Sequence, residues 1–455
     1  MLFLFLNEYF KEIVDTFLLE NEFWIINYAM NNIDLKHKMR FIEPSATLVI
    51  NELSSKLVTE GKEIYRLGFG QSPFPVPNIL VKALKKYAHK KEYLPVKGLM
   101  TLRQEVADFF RRKYNLSTKA DDIIVGPGSK ELIFDFQMVV KIDELLLPSP
   151  SWVSYEPQAK LTDHKVCWIS TSEKANWKIS PKDIVKHCDK EPKIKRAIIL
   201  NYPSNPLGVT YSDMELKELA MVFKKYEILV IADEIYGEIH HTGKHQTIAK
   251  YYSEGTIIST GLSKWAGAGG WRLGVFIFPQ NLRNILNAMA VVASETYTST
   301  ATPIQYAAIE AYKENEVIEV YIKNCRKILK IVGLYVCNTL KEIGVTMPEP
   351  EGGFYVFPNF NKWKVALIQK GIYTSTDFCN RILNEVGVAL LPGEAFGTDK
   401  ENFTVRLSYV DFDGERLLNM LKDNPNIKMD KEFVKKYCPR IIIAIKKIEE
   451  WILSI

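Results

Sequence analysis

The sequence predicts an α/β fold: a mostly parallel sheet covered by helices in a large domain, followed by a smaller α+β domain. Three observations carry that expectation. Short β-branched runs end in loops rich in glycine, asparagine and proline. Helix-period segments separate those runs, as strand–helix–strand units require. Beyond about residue 310 the pattern changes to long helices and then to shorter β-like runs.

The elements follow in order. Residues 1–42 open with MLFLFLNEYFKEIVDTFLLENEFWIINYAM, an apolar stretch broken by Glu8, Lys11, Glu12, Asp15, Glu20 and Glu22. It never reaches the roughly 20 apolar residues of a membrane span, and it lacks the basic start and acid-free core of a signal peptide. An amphipathic helix or arm, packed on the body or on a partner chain, fits it better. Residues 43–75 are expected to begin the small domain and supply an entrance strand, 76–310 to form the large domain, and 311–455 to complete the small one. Within the large domain, DDIIVGPGSKELIFDFQMVV (121–140) predicts strand, glycine turn, helix. RAIILNYPSNPLG (196–208), YEILVIADEIYG (226–237) and GTIISTG (255–261) predict further buried strands, with a helix over 213–226 between the first two. GGFYVFP, GVALLPG and FTVRLSYV are the later β-like runs. The basic run KEFVKKYCPRIIIAIKKIEE (431–450) predicts the wet face of one terminal helix.

Composition narrows the classes. Hydrophobic residues make up 47% and charged residues 25%, which excludes a mostly disordered or collagen-like chain. The net charge of +5, from 59 basic and 54 acidic side chains, is too small a bias to argue for nucleic acid. No two of the six cysteines form a CxxC pair, so neither a metal site nor a redox motif is expected, and a reduced, cytoplasmic protein is.

In open parallel sheets, ligands gather at the carboxyl ends of the strands. Gly128, Asn205, Asp233 and Lys264 all follow predicted strands and should converge there. Lys264 lies in GLSKWAGAGGWRLG (261–274), where five glycines in fourteen residues let a flat ligand and backbone amides approach closely. A lysine that forms an imine needs its pKa lowered by burial or a nearby cation. Arg272 offers a planar guanidinium for a phosphate, and Gly126, Gly128 and Ser129 end a strand and open a helix, a second place suited to phosphate. Two phosphate-competent loops and one lysine point to pyridoxal phosphate. That cofactor needs a carboxylate against its ring nitrogen, donors to its phenolic oxygen and an aromatic partner. Asp233, then Tyr236 and Asn205, then Trp152 meet those needs in turn. Singly, Asp233 suits a helix cap, Asn205 a turn and Trp152 a core; their joint occurrence argues otherwise.

These segments resemble the class I aminotransferases of the fold-type I pyridoxal-phosphate enzymes, from about residue 43 to the end of the chain. SK-x7-R-x-G around Lys264, NYPSNPLG, ADEIYGE, EYLPVKGLMTLRQEVADFF (92–110) and FTVRLSYV are the five ordered motifs, and Asn205 and Asp233 stand twenty-eight residues apart as in that family. The resemblance implies that Lys264 holds the cofactor and, once freed, moves the substrate's α-proton. It implies that Asp233 pairs with the ring nitrogen, that Asn205 and Tyr236 bond the phenolic oxygen, and that Trp152 stacks on the ring. It further implies that Ser129, the Gly128 backbone and Arg272 hold the phosphate and that Tyr93 reaches it from the neighbouring subunit of a homodimer. Arg406 would clamp the substrate α-carboxylate, with Gly70 lining the entrance beside it. Two positions depart from the pattern: Gly261 replaces a phosphate-binding serine, with Ser263 a weak substitute, and Leu207 replaces the loop threonine.

The implied reaction moves an amino group between an L-amino acid, first aspartate or glutamate, and a 2-oxo acid in two half-reactions through pyridoxamine phosphate. Lys130 and Lys97 are candidates for a distal carboxylate, whereas Phe69, Phe74 and Tyr297 would favour apolar side chains. A lyase resembling the synthase that forms a cyclopropane amino acid shares the same lysine and aspartate. A non-catalytic cofactor-binding module is a further alternative. GFGQS lacks the third glycine of a dinucleotide fingerprint, and no membrane or nucleic-acid partner is expected.

Overall fold

A seven-stranded sheet organises the chain. The computed structural model describes Met39 and residues 45–455, so the arm expected over residues 1–42 lies outside the described residues apart from Met39. The strands are β1 (Ile123–Gly126), β2 (Glu144–Ser149), β3 (Val166–Ser170), β4 (Arg196–Asn201), β5 (Leu229–Asp233), β6 (Thr256–Gly261) and β7 (Gly274–Ile277). Their spatial order is β1-β7-β6-β5-β4-β2-β3, and only β7 runs against its neighbours. The mostly parallel sheet predicted from the apolar runs is therefore present.

Alternation along each strand feeds two cores. Leu146, Ile198, Leu200 and Val230 face Leu216, Leu219 and Phe223 of the helix Asp213–Lys225. Leu145, Ile199, Ile231 and Phe276 face Leu132, Ile133 and Phe136 of the helix Ser129–Val139 and Leu286 and Met289 of the helix Arg283–Glu295. Both sheet faces are dry, so the strands could tolerate no alternating polar pattern. The polar residues appear only where the strands end: register places Asn201 beside Asp233 and Asp233 beside Ser259, one row across the carboxyl edge.

A second sheet is antiparallel, ordered β8-β10-β9, from β8 (Tyr355–Val356), β9 (Leu391–Pro392) and β10 (Val405–Ser408). It packs in the same apolar cluster as the 27-residue helix Glu316–Glu342, whose Ile318, Ile322, Leu329 and Val336 are buried. One expectation is corrected. The run 431–450 forms two helices, Lys431–Tyr437 and Pro439–Leu453, because Pro439 has no N–H to continue the first and Cys438 leaves helical geometry (φ −122°, ψ 52°). The amphipathic reading itself holds, with Ile441, Ala444, Ile445 and Ile448 inward and Lys446 outward.

Candidate active site

A cavity of about 350 Å³ opens at the carboxyl edge of the large sheet. Of the residues singled out in the sequence, Gly70, Ser129, Trp152, Asn205, Asp233, Tyr236, Lys264 and Arg272 line it. Lys264 follows β6, and its Nζ donates to the Gly70 carbonyl at 2.7 Å. Removal from water lowers its pKa to about 8, reinforced by Arg406, opposed by Asp233, and reinforced again by Arg272 and Lys130. A lowered pKa is the property the sequence reading asked of this lysine.

Asp233 ends β5 and is buried. Its Oδ2 accepts from the Tyr155 hydroxyl at 2.6 Å, and Oδ1 accepts from the Ser259 hydroxyl at 3.3 Å and the Ile235 N–H at 3.4 Å. Burial raises its pKa to about 6 in spite of these donors and Lys264. Neither Tyr155 nor Asn201, which also lines the cavity, was singled out in the sequence. The Asn201 side chain donates to the Asp233 carbonyl at 2.8 Å and accepts from the Asn205 N–H at 2.7 Å, tying the asparagine loop to β5. The spacing WVSY, which puts Tyr155 three residues after Trp152, was the available signal for the tyrosine.

Arg406 lies on β10, 1% exposed. Its Nη1 donates to Asn205 Oδ1 at 3.1 Å and its Nη2 to the Gly68 carbonyl at 2.6 Å, while the guanidinium stacks over Tyr355 at 4.8 Å and Phe396 at 5.3 Å. Its Nε has no partner among the described residues. Arg406 does not itself line the cavity; it is joined to it through Asn205, and its spare Nε donor suits an anion.

At the other end, Arg272 donates from Nη1 to the Gly269 carbonyl and from Nη2 to the Pro127 carbonyl, both at 3.1 Å. Gly128 precedes the helix Ser129–Val139 with φ +100°, and a Cβ there would run into the Arg272 guanidinium. The positive φ is what calls for glycine there, since the tip of the Arg272 side chain could shift aside. The departure at Gly261 also has a physical reason. A Cβ at that position would stand 2.6 Å from the Leu273 carbonyl oxygen of the paired strand region, so the close β6–β7 approach leaves no room for serine. Ser263 lines the cavity.

Several positional readings need correction. Lys97 does not reach the cavity; its Nζ donates to Asn287 Oδ1 at 2.7 Å. Phe69, Phe74 and Tyr297 do not line it either: Arg66 sits over Phe69, Phe74 packs in the core, and the Tyr297 hydroxyl donates to Asp135. Lys130 does line it, with Nζ 5.1 Å from the Trp152 ring. Tyr93, expected at a neighbouring subunit's site and not at this one, needs no correction: it is outside the cavity and 88% exposed.

The donor set fits pyridoxal phosphate. A low-pKa lysine and a buried carboxylate lie across one cavity, a side-chain-free cradle with Arg272 marks one end, and an unsatisfied buried guanidinium adjoins it. Comparison with known proteins agrees. The family of class I and II aminotransferases matches residues 62–421, and the chain belongs to it. It is 32% identical to the aspartate aminotransferase of Bacillus subtilis over 412 residues, which is 89% of this chain and 99% of that protein. It is likewise 32% identical over 385 residues to the asparagine–oxo-acid transaminase of Streptococcus mutans, covering 82% of this chain and 94% of the relative. The solved structure of Thermus thermophilus aspartate aminotransferase with maleate superposes with a TM-score of 0.76 at 27% identity, covering 86% of this chain and 98% of that one. The fold is that of the fold-type I transferases, and the protein is a pyridoxal-phosphate-dependent aminotransferase.

Proposed function

We propose that the site transfers the amino group of L-aspartate or L-glutamate to a 2-oxo acid, with Lys264 as the residue bonded to the cofactor. The observation that carries this is Lys264 itself: an amine with pKa near 8, lining the cavity with Asp233 and close enough to Arg406 to feel its charge. Bound pyridoxal phosphate supplies an aldehyde that links to amines and a protonated ring that withdraws electrons from the substrate's α-carbon. Asp233, ionised above about pH 6, keeps that ring nitrogen protonated. Asn205 and Tyr236 donate to the phenolic oxygen, and Trp152 covers one ring face. Ser129, the Gly128 backbone and Arg272 hold the phosphate. Arg406 takes the substrate α-carboxylate on its orphan Nε and a neighbouring nitrogen. Once an amino donor has displaced it from the cofactor, Lys264 Nζ would take the proton from the donor's α-carbon and pass it to the cofactor's former aldehyde carbon, and would carry a proton the opposite way when the oxo acid reacts.

Lys130 supplies the distal cation for a dicarboxylate. Its position at the cavity supports this, as do relatives named for aspartate, although others are named for asparagine, prephenate and N-acetyl-LL-diaminopimelate. Names that all denote amino transfer give the lyase alternative no support. The same reading makes the protein a homodimer, supported by the bare aromatic surface at Tyr93, with Tyr93 completing the partner's phosphate site. It works in the cytoplasm, supported by six free thiols. The division at residues 75 and 310 is supported by the two separate sheets. Among the described residues, no helix is long and apolar enough to cross a membrane.

The test is single-turnover reaction of the cofactor-loaded protein with a panel of amino acids. Aspartate and glutamate are expected to react fastest and to yield their keto acids. Faster reaction of apolar donors would overturn the dicarboxylate reading, and no keto acid from any donor would overturn transfer.

A further inference from the structure

Tyr355 opens β8, 1% exposed, and touches three parts of the site at once. Its hydroxyl lies 2.9 Å from that of Tyr236. Its ring lies under the Arg406 guanidinium. Its hydroxyl also fills the space beside Gly70, where an added Cβ would collide with it.

We propose that Tyr355 is a positioning residue: it gives its hydroxyl hydrogen to Tyr236, which leaves the Tyr236 hydrogen aimed at the cofactor's phenolic oxygen. This rests on the role assigned to Tyr236 above. Each phenol carries one hydrogen and accepts through two lone pairs. Two hydroxyls in contact share one of their two hydrogens, so the other must find a partner or be wasted in a buried place. Tyr236 lines the cavity and Tyr355 does not, and no other hydrogen bond is recorded for the Tyr355 hydroxyl among the described residues. A spare hydrogen on Tyr355 would be unmet; a spare hydrogen on Tyr236 faces the ligand. Burial raises both phenols' pKa values, so both hydrogens are present at neutral pH. A donor behind Tyr236 also polarises its O–H and strengthens the bond it makes in front.

That bond draws negative charge from the phenolic oxygen and weakens its hold on the proton of the lysine–cofactor linkage. Removing the Tyr355 hydroxyl therefore raises the pH at which the linkage loses that proton. Tyr355→Phe deletes one oxygen and keeps the ring beneath Arg406. The readout is the pH midpoint of the bound cofactor's visible absorbance in wild type, Tyr355→Phe, Tyr236→Phe and the double variant. Tyr355→Phe is expected to raise the midpoint by about half to one pH unit, from the usual worth of one neutral hydrogen bond. Tyr236→Phe should raise it further, and the double variant should match Tyr236→Phe alone, since the two hydroxyls act in series. An unmoved Tyr236→Phe midpoint overturns the assignment of Tyr236 and this inference with it. A moved Tyr236→Phe midpoint with an unmoved Tyr355→Phe midpoint overturns the inference alone, as does a Tyr355→Phe shift that persists in full when Tyr236 is already Phe.

Discussion

Replacing Tyr155 with phenylalanine isolates the control of Asp233. In the apoprotein Asp233 ionises near pH 6: burial pushes it up, and the Tyr155 hydroxyl at 2.6 Å is the largest force pulling it down. Ser259 and the Ile235 N–H are 3.3 and 3.4 Å away, too long to take over. A hydrogen bond to a buried charge is worth about 1.5–3 kcal/mol, and about 1.4 kcal/mol moves a pKa by one unit. Tyr155→Phe should therefore carry Asp233 upward by about one to two pH units, to near or above neutrality. The sign of the effect on ligand binding follows. A protonated carboxyl cannot pair with a protonated ring nitrogen, so affinity falls as pH drops through the Asp233 pKa. Pyridoxamine phosphate is the ligand to use, because it forms no covalent bond with Lys264, so the titration reads affinity and not imine formation. Fluorescence titrations across pH should show the acidic loss of affinity near pH 6 in wild type and about one to two units higher in the variant. Coincident acidic limbs would refute the claim that Tyr155 governs this carboxylate.

Arg406→Ala should lower kcat/KM for every amino donor by about a hundredfold or more, the loss of roughly 3 kcal/mol of charge-assisted bonding, read by steady-state kinetics. Lys130→Gln should lower kcat/KM for aspartate and glutamate about tenfold, one lost ionic contact, and leave an uncharged donor unaffected. Gly261→Ser should not improve cofactor affinity. It should destabilise the protein by about 1–3 kcal/mol in denaturant titration, because its Cβ meets backbone rather than a movable side chain.

The large sheet was legible because strands buried on both faces must be continuously apolar, and the polar residues that end them stand out by contrast. Asp233 and Lys264 were found in this way: each terminates or follows such a run. Tyr155 was missed because its meaning is its partner, 78 residues later in the chain, and a tyrosine among apolar neighbours also suits a core. Asn201 was hidden by Asn205, whose motif absorbed the reading of the loop. Lys97 was misplaced for the opposite reason: nearness to a motif says nothing about where a long side chain ends, and this one ends on Asn287. The terminal helix was read through Pro439 because its apolar positions continue in register on both sides, yet the missing N–H still ends the first helix there.

Borohydride reduction of the cofactor-loaded protein, followed by peptide mapping, addresses the central assignment directly. A stable pyridoxyl group is expected on the peptide containing Lys264, and it should disappear in Lys264→Ala together with turnover. A tag on any other lysine, or turnover that survives in Lys264→Ala, would contradict it.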